Sequence, residues 1–348
     1  MASRVLLITP QFYGTEEIIK SALEALGYKV TWVENKTLAF DYYGTKAKFK
    51  ILRRIYFFLF SPEKKYLKKE FKRIGNLRFD ILFSINAHVI CPFLINKLKM
   101  TNPSIISVLY LWDSFTMYNW ANKLKFFDKA FTFDRVDSLG FKIGYKPNFY
   151  IKQSDPVPGE LEYDLFFAGK FSSARLSFIE KILKQPDISE LKFFLKLWPA
   201  YRILFHSHFL YRLFKTLKIR DTSIRNYVLN YEAVEGILKN ENIINESINY
   251  TVMQSYMMHA NVILDIPYDE QRGYTHRVID ALANGKKLLT TNPDIKKESF
   301  YNPEQIHITD KQNPEFDWSW VRDKTTFVVS DYFSDLELSN WLKPIIND

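Results

Sequence analysis

The residues best equipped for chemistry lie in one stretch, "DIPYDEQRGYTHRVIDALANGKKLLTTN" at 265–292. Arg272, His276, Arg277 and Asp280 gather there around the entrance to a helix, between one apolar strand and the next. A helix beginning near Tyr274 or Thr275 leaves its first N–H groups unpaired. Its dipole adds partial positive charge, so an anion such as a diphosphate is the natural occupant. Arg277, in the first turn, brings a guanidinium that can grip phosphate through two hydrogen bonds. Asp280 lies three residues on, on the same face. It either accepts hydrogen bonds from a ligand or pairs with Arg277 on the helix surface. Arg272 and His276 either reach the same ligand or shape the loop. Gly285 allows a tight exit into the following strand.

A second anion-binding candidate is "AGKFSSAR" at 168–175. Gly169 permits close backbone approach to phosphate, Lys170 and Arg175 add positive charge, and Ser172 and Ser173 offer hydroxyl donors. A Gly-Lys turn is common in αβ proteins, so it gains meaning through the Arg277 helix, with which it would form a second wall. A third set follows two apolar runs: Asn86 and His88 after "FDILFSI" (79–85), and Asp113 and Ser114 after "SIISVLYLW" (104–112). Asp113 and His88 are the groups able to take a proton from a hydroxyl, with Glu17 near the first loop as another. Each also has a purely structural reading, Asp113 as a helix cap and His88 bonded to the backbone. No Asp-x-Asp triplet occurs. The "HSH" at 206–208 is embedded in an apolar, basic segment, so His206 and His208 read as structural or interfacial. A reaction without metal or bound cofactor is expected, with cations and a helix N-terminus stabilising a departing phosphate.

The elements that must position these residues alternate strand and helix. "RVLLIT" (4–9) leads through a loop to "TEEIIKSALEALG", where Thr15 can cap and Ile18, Ile19, Ala22, Leu23 and Leu26 recur at helical spacing. "YKVTWVE" (28–34), "FDILFSI", "SIISVLYLW" and "KAFTFD" (129–134) continue a parallel series. The pattern breaks at "IKQSDPVPGELE" (151–162), read as a linker. It restarts with a strand, a turn at Gly169 and a helix over 163–183, then strands at 260–267, 286–292 and 304–310. The expectation is an α/β protein with two Rossmann-like domains facing a cleft, at 1–155 and 156–330. A terminal helix at 331–348 would pack back on the first domain. Ligands of such sheets sit beyond the carboxyl ends of the strands.

Several of these motifs together resemble a known family. "YDLFFAGKFSSAR", "ANVILDIPYDEQRGYTHRVIDALANGKKLLTTN" and "FYNPEQIHI", with "LYLWDS" and "FTFDRVDSLGF", resemble GT-B fold glycosyltransferases of bacterial lipopolysaccharide, O-antigen or capsule biosynthesis. The likeness covers roughly 78–150 and 163–310. It implies a second domain that binds a nucleotide-sugar donor, with Arg277 on phosphate and Asp280 on the ribose hydroxyls. It also implies a first domain that binds a glycan or lipid-linked acceptor, with any catalytic base across the cleft from the donor. In many retaining members two glutamates are separated by seven residues, whereas here nine lie between Glu270 and Asp280. Stereochemistry is therefore not carried over. A nucleotide-sugar epimerase or a non-catalytic assembly protein would share the architecture.

Composition narrows the partners. The 348 residues are 47% hydrophobic and 17% aromatic, with a single cysteine, Cys91, which excludes an internal disulfide framework. The net charge of +9 is concentrated in 46–75 and 192–220, where Lys and Arg interleave with aromatic and aliphatic residues. Such segments either cover a core or rest on an anionic membrane surface. No nucleic-acid-binding motif is present. No run is apolar enough to span a bilayer and the start lacks a secretory signal's arrangement, so the expected location is cytoplasmic, with a possible peripheral contact on the inner face of the membrane.

Overall fold

The computed structural model describes residues 2–36, 61–152, 160–186, 188–198, 216, 244, 246–315 and 317–347. The chain divides into two compact units. The first comprises Met1–Ser154, Pro267–Ala283 and Val329–Asp348, and the second Asp155–Ile266 and Asn284–Val328. The 265–292 stretch is thus shared between them.

The first unit holds β1 (Arg4–Thr9), β2 (Lys29–Glu34), β3 (Ile81–Ile85), β4 (Ile106–Leu111), β5 (Lys129–Thr132) and β6 (Gly144–Tyr145). Their order is β2-β1-β3-β4-β5-β6, all parallel. The central strands are buried beyond their first residue, and β3 throughout, which is why they read as continuous apolar runs rather than alternating ones. The order turns back at β1 and β3, the switch point where open α/β sheets form a crevice. Between β1 and β2 runs a helix, Thr15–Ala25. Thr15 does not cap it: Tyr13 and Gly14 take left-handed backbone, and the Thr15 hydroxyl turns back to donate to Phe12 O at 2.7 Å. Glu16 accepts from Phe12 N instead. At the other end Gly27 has φ 94°, and Tyr28 N reaches back to Leu23 O, closing the helix.

The terminal helix Leu338–Asn347 belongs to this unit and packs against Thr15–Ala25. Trp341, fully buried, meets the rings of Tyr110 and Phe149 and donates to Pro147 O at 2.8 Å.

The second unit holds β7 (Tyr163–Lys170), β8 (Phe193–Trp198), β9 (Ala260–Asp265), β10 (Lys287–Thr290) and β11 (Ile306–Ile308). Its order, β11-β10-β9-β7-β8, is again all parallel and turns back at β7 and β9. Two sequence expectations change here. The basic-aromatic stretch at 192–220 begins with edge strand β8, whose Leu195, Leu197 and Trp198 are buried. Lys196, one of the cations that suggested an interface, stands on a sheet edge, where charge discourages further strand pairing. Gly169, expected in a turn, lies inside β7 opposite Leu197, and the turn follows at Phe171 and Ser172.

The remaining membrane-stretch residues at 46–60, 199–215 and 217–220, with His206 and His208, fall outside the described residues, as does 153–159 of the expected linker. Among the described residues no helix is long and apolar enough to cross a membrane.

Candidate functional site

The loop leaving β4 is held at four successive positions by four different partners. Asp113 accepts from Asn86 Nδ2 at 2.7 Å, across from the end of β3. Ser114, fully buried, donates to Asp134 Oδ2 at 2.7 Å. Phe115 N donates to Asp137 Oδ2 at 2.8 Å, and the Thr116 hydroxyl donates to Glu270 O. Asp134 follows β5 and caps the Arg135–Phe141 helix through Val136 N and Asp137 N, so one short helix N-terminus braces two of these positions. Burial, with the Asp134 charge, pushes the Asp137 carboxyl up despite the Phe115 N–H and the nearby Arg272 guanidinium, which pull it down. The loop is fixed by buried polar bonds, the condition for a side chain on it to be preorganised.

The second component is the segment Pro267–Ala283, which the structure binds to this same unit. Asn148 Nδ2 donates to Tyr274 O at 2.9 Å. Gly273 lies flat on Phe133, where a Cβ would stand 2.6 Å from the ring, so no other residue fits without movement. His276 Nδ1 is 3.0 Å from Phe149 O, and its ring meets Trp112 and Phe149 edge-on. A carbonyl only accepts, which assigns the proton to Nδ1. Burial holds the imidazole down to about 4, outweighing that hydrogen bond, which raises it. His276 is therefore neutral at pH 7 and anchors the loop without adding charge to it.

The helix itself runs His276–Ala283, one residue later than expected, with Thr275 O accepting its first bonds from Val278 N and Ile279 N. Arg277 sits in the first turn and is partly exposed, while Asp280 is buried at 2% exposure. Gly285 has φ 64°, as the tight exit requires. Arg272 is exposed.

Of the proton-accepting candidates, His88 is buried in an aromatic box, edge-on to Tyr118 and Trp120. Asp113 is half-buried. Glu17 is exposed on its helix, 3.8 Å from Lys20. Thus Asp113, His88, Arg272, Thr275, His276, Arg277 and Asp280 are brought into one unit, although sequence reasoning divided them between two domains.

The 168–175 set belongs to the second unit. Arg175, 5% exposed, donates from Nε to Ile266 O at 2.8 Å and from Nη1 to Lys170 O at 2.9 Å, over the Phe167 ring. It ties together the ends of β7 and β9 at the switch point. The Ser172 hydroxyl caps the Ser173–Ile182 helix through Arg175 N at 3.2 Å, and Lys170 is exposed. Among the described residues no group of three His, Cys, Asp or Glu is placed to hold a metal ion. The clamps on the β4 loop went unseen in the sequence, though the pair of acids in "FTFDRVDS" at the end of an apolar run was the available signal.

No protein-family model matches the chain, and no curated protein matches it in sequence. Solved structures do. OtsA in its apo form is similar over 99% of this chain and 100% of that one, at 12% identity and a TM-score of 0.50. The lipopolysaccharide outer core galactosyltransferase WaaB, also apo, is similar over 98% and 99%, at 11% identity and 0.47. UGT89C1 of Arabidopsis thaliana, complexed with UDP-L-rhamnose, is similar over 99% and 93%, at 12% and 0.39. At these identities the likeness is one of fold, carried among these three by OtsA. The protein is α/β with two Rossmann-like units, the architecture expected from its sequence.

Proposed function

We propose that the protein is a glycosyltransferase that moves a sugar from a nucleotide-sugar donor to a glycan or lipid-linked acceptor in bacterial surface polysaccharide assembly. The observation that carries the reading is the braced β4 loop: Asp113 is held beside the switch point of the first sheet, and Thr116 ties its loop to the segment that leads into the Arg277 helix. In this reading Arg277 and the first-turn N–H groups take the donor diphosphate, and Asp280 takes a ribose hydroxyl after a side-chain shift that uncovers it. Asp113 receives the proton of the acceptor hydroxyl as the new glycosidic bond forms and the sugar–phosphate bond breaks, its electron pair leaving on the nucleoside diphosphate. His88 supports the acceptor side, and no metal is required. Gly169, Lys170, Ser172 and Arg175 shape the strand ends of the second unit, with Lys170 as its exposed cation.

A peripheral membrane location on the inner face of the cytoplasmic membrane accompanies this reading. The helix Pro62–Ile74 exposes Lys64, Lys65, Lys68, Lys69, Lys72 and Arg73 while turning Tyr66 and Leu67 inward. A groove of about 570 Å³ beside it is lined by Lys64, Phe93, Lys97 and Met100. Cations around an apolar floor suit anionic headgroups.

Incubating the pure protein with a panel of nucleotide sugars, with and without oligosaccharide and lipid-linked acceptors and in the presence of a chelator, tests the proposal. Acceptor-dependent nucleotide release that survives chelation is expected. Epimer formation without acceptor would replace the reading with a nucleotide-sugar epimerase, and absence of both binding and turnover would replace it with a non-catalytic assembly protein. Flotation with anionic liposomes at low salt is expected to carry the protein upward; protein left in the bottom fraction removes the membrane contact.

A further inference from the structure

We infer that Asn86 is a positioning residue for Asp113, fixing the orientation and proton affinity of that carboxylate in the reaction proposed above, on which this inference rests. Asn86 departs from ordinary protein chemistry in two independent ways. Its φ is 59°, in the left-handed region that non-glycine residues rarely adopt. Its side-chain Oδ1 is buried and accepts no hydrogen bond among the described residues, although buried amide oxygens almost always do.

The surroundings prevent relaxation of either feature. Asn86 N donates to Tyr110 O at 2.8 Å, and Asn86 O accepts from the Ser84 hydroxyl at 2.6 Å, so the backbone is tied to β4 and to β3. Rotating the amide would turn Oδ1 towards the Asp113 carboxylate, placing two acceptors face to face. The side chain, 1% exposed, has one bond to show for this arrangement: Nδ2 to Asp113 Oδ2 at 2.7 Å. A glycine would satisfy the same backbone with no strain and no dry oxygen. What a glycine cannot supply is the bond to Asp113.

That bond has a chemical consequence. An N–H donated to a carboxylate favours its ionised form and fixes its plane. Asp113 thereby stays charged and aimed while it waits for a proton. When the acceptor hydroxyl is deprotonated, the proton passes to Asp113, the oxygen's electron pair forms the bond to the sugar, and the sugar–phosphate bond breaks with its electron pair leaving on the nucleoside diphosphate. Asn86 transfers no proton itself. Broken local rules at a strand end next to the switch point are where sequences keep function at the expense of stability.

Carboxyl-¹³C NMR titration of Asp113 in the full-length protein tests this, using Asn86→Gly and Asn86→Asp. Asn86→Gly keeps the backbone and is expected to fold at least as stably as the wild type, while the Asp113 midpoint moves to higher pH. Asn86→Asp sets two carboxyls at hydrogen-bond distance, and the pair is expected to titrate in two steps more than about one pH unit apart. In acceptor-dependent turnover, Asn86→Gly is expected to lower kcat with little change in KM, the acidic limb of the pH profile following the Asp113 midpoint. An unchanged midpoint in Asn86→Gly, or altered melting with no change at Asp113, overturns the inference. A shifted midpoint in a protein that transfers no sugar under any assay upholds the contact and overturns the reading of the reaction instead.

Discussion

The two sheets have the same strand order, and their strand ends hold buried polar side chains of two different kinds. In the second unit Arg175 spans the ends of β7 and β9 and donates to the carbonyls of Ile266 and Lys170. In the first unit Asn35 makes the matching bridge between β1 and β3, donating from N to Thr9 O and from Nδ2 to Ile85 O; one strand further, at the ends of β3 and β4, Asn86 and Asp113 bond to each other and leave an amide oxygen unanswered. Arg175 and Asn35 serve the backbone, whereas the Asn86 amide gives its N–H to a carboxylate. Charge and burial alone therefore do not mark a site: a buried arginine that satisfies carbonyls is architecture, and a half-satisfied amide beside a carboxylate is a candidate for chemistry.

The sharpest test of that contrast is Asp113→Asn. Acceptor-dependent turnover is expected to fall by about 100-fold or more, the usual contribution of a general base, with an unchanged urea midpoint. A destabilised protein with normal turnover would move Asp113 to the architectural side. Arg175→Met should do the reverse. Leaving two strand-end carbonyls unpaired is expected to cost about 3 kcal/mol in urea unfolding, while Lys170→Ala stays within about 0.5 kcal/mol. Equal stability of Arg175→Met and wild type would break the comparison from the other side.

His276 gives a pH-dependent version. Its folded value, about 4, lies below the ordinary 6.5, so the unfolded chain binds the extra proton between those limits. Its contribution is thus fully present above pH 6.5 and lost as pH falls towards 4, by up to about 3 kcal/mol. His276→Phe should lack that slope, and parallel stability curves for the two proteins across this window would contradict the buried neutral imidazole. The smallest effect is expected at Arg277→Ala: about 10-fold weaker nucleotide-sugar binding by calorimetry, with folding unchanged. Unaltered affinity would take the diphosphate away from this helix.

Much of the fold was legible because β3 and β9 are buried throughout and β1, β4 and β7 over most of their length, so that they announce themselves as apolar runs. β8 was not, because an edge strand carrying Lys196 among aromatic residues has the same composition as an interfacial segment. At the candidate site, Asp113, Arg277 and Asp280 were visible as polar residues following strands or opening a helix. The work of Ser114, Asp134 and Asp137 was not, since their partners lie about 20 residues or more away in sequence.

The sequence by itself determined the alternating strands and helices, the polar residues at their carboxyl ends and the glycine exit at Gly285. These follow from local periodicity and backbone preference, which each short segment carries within itself. Only the tertiary structure decided that Pro267–Ala283 belongs with the first unit, that Arg175 is committed to two carbonyls, and that Asn86 meets Asp113. Such partnerships depend on which strand ends come together in space. Hydrogen bonds reach about 3 Å, a distance over which chain order has no say until the sheet is built.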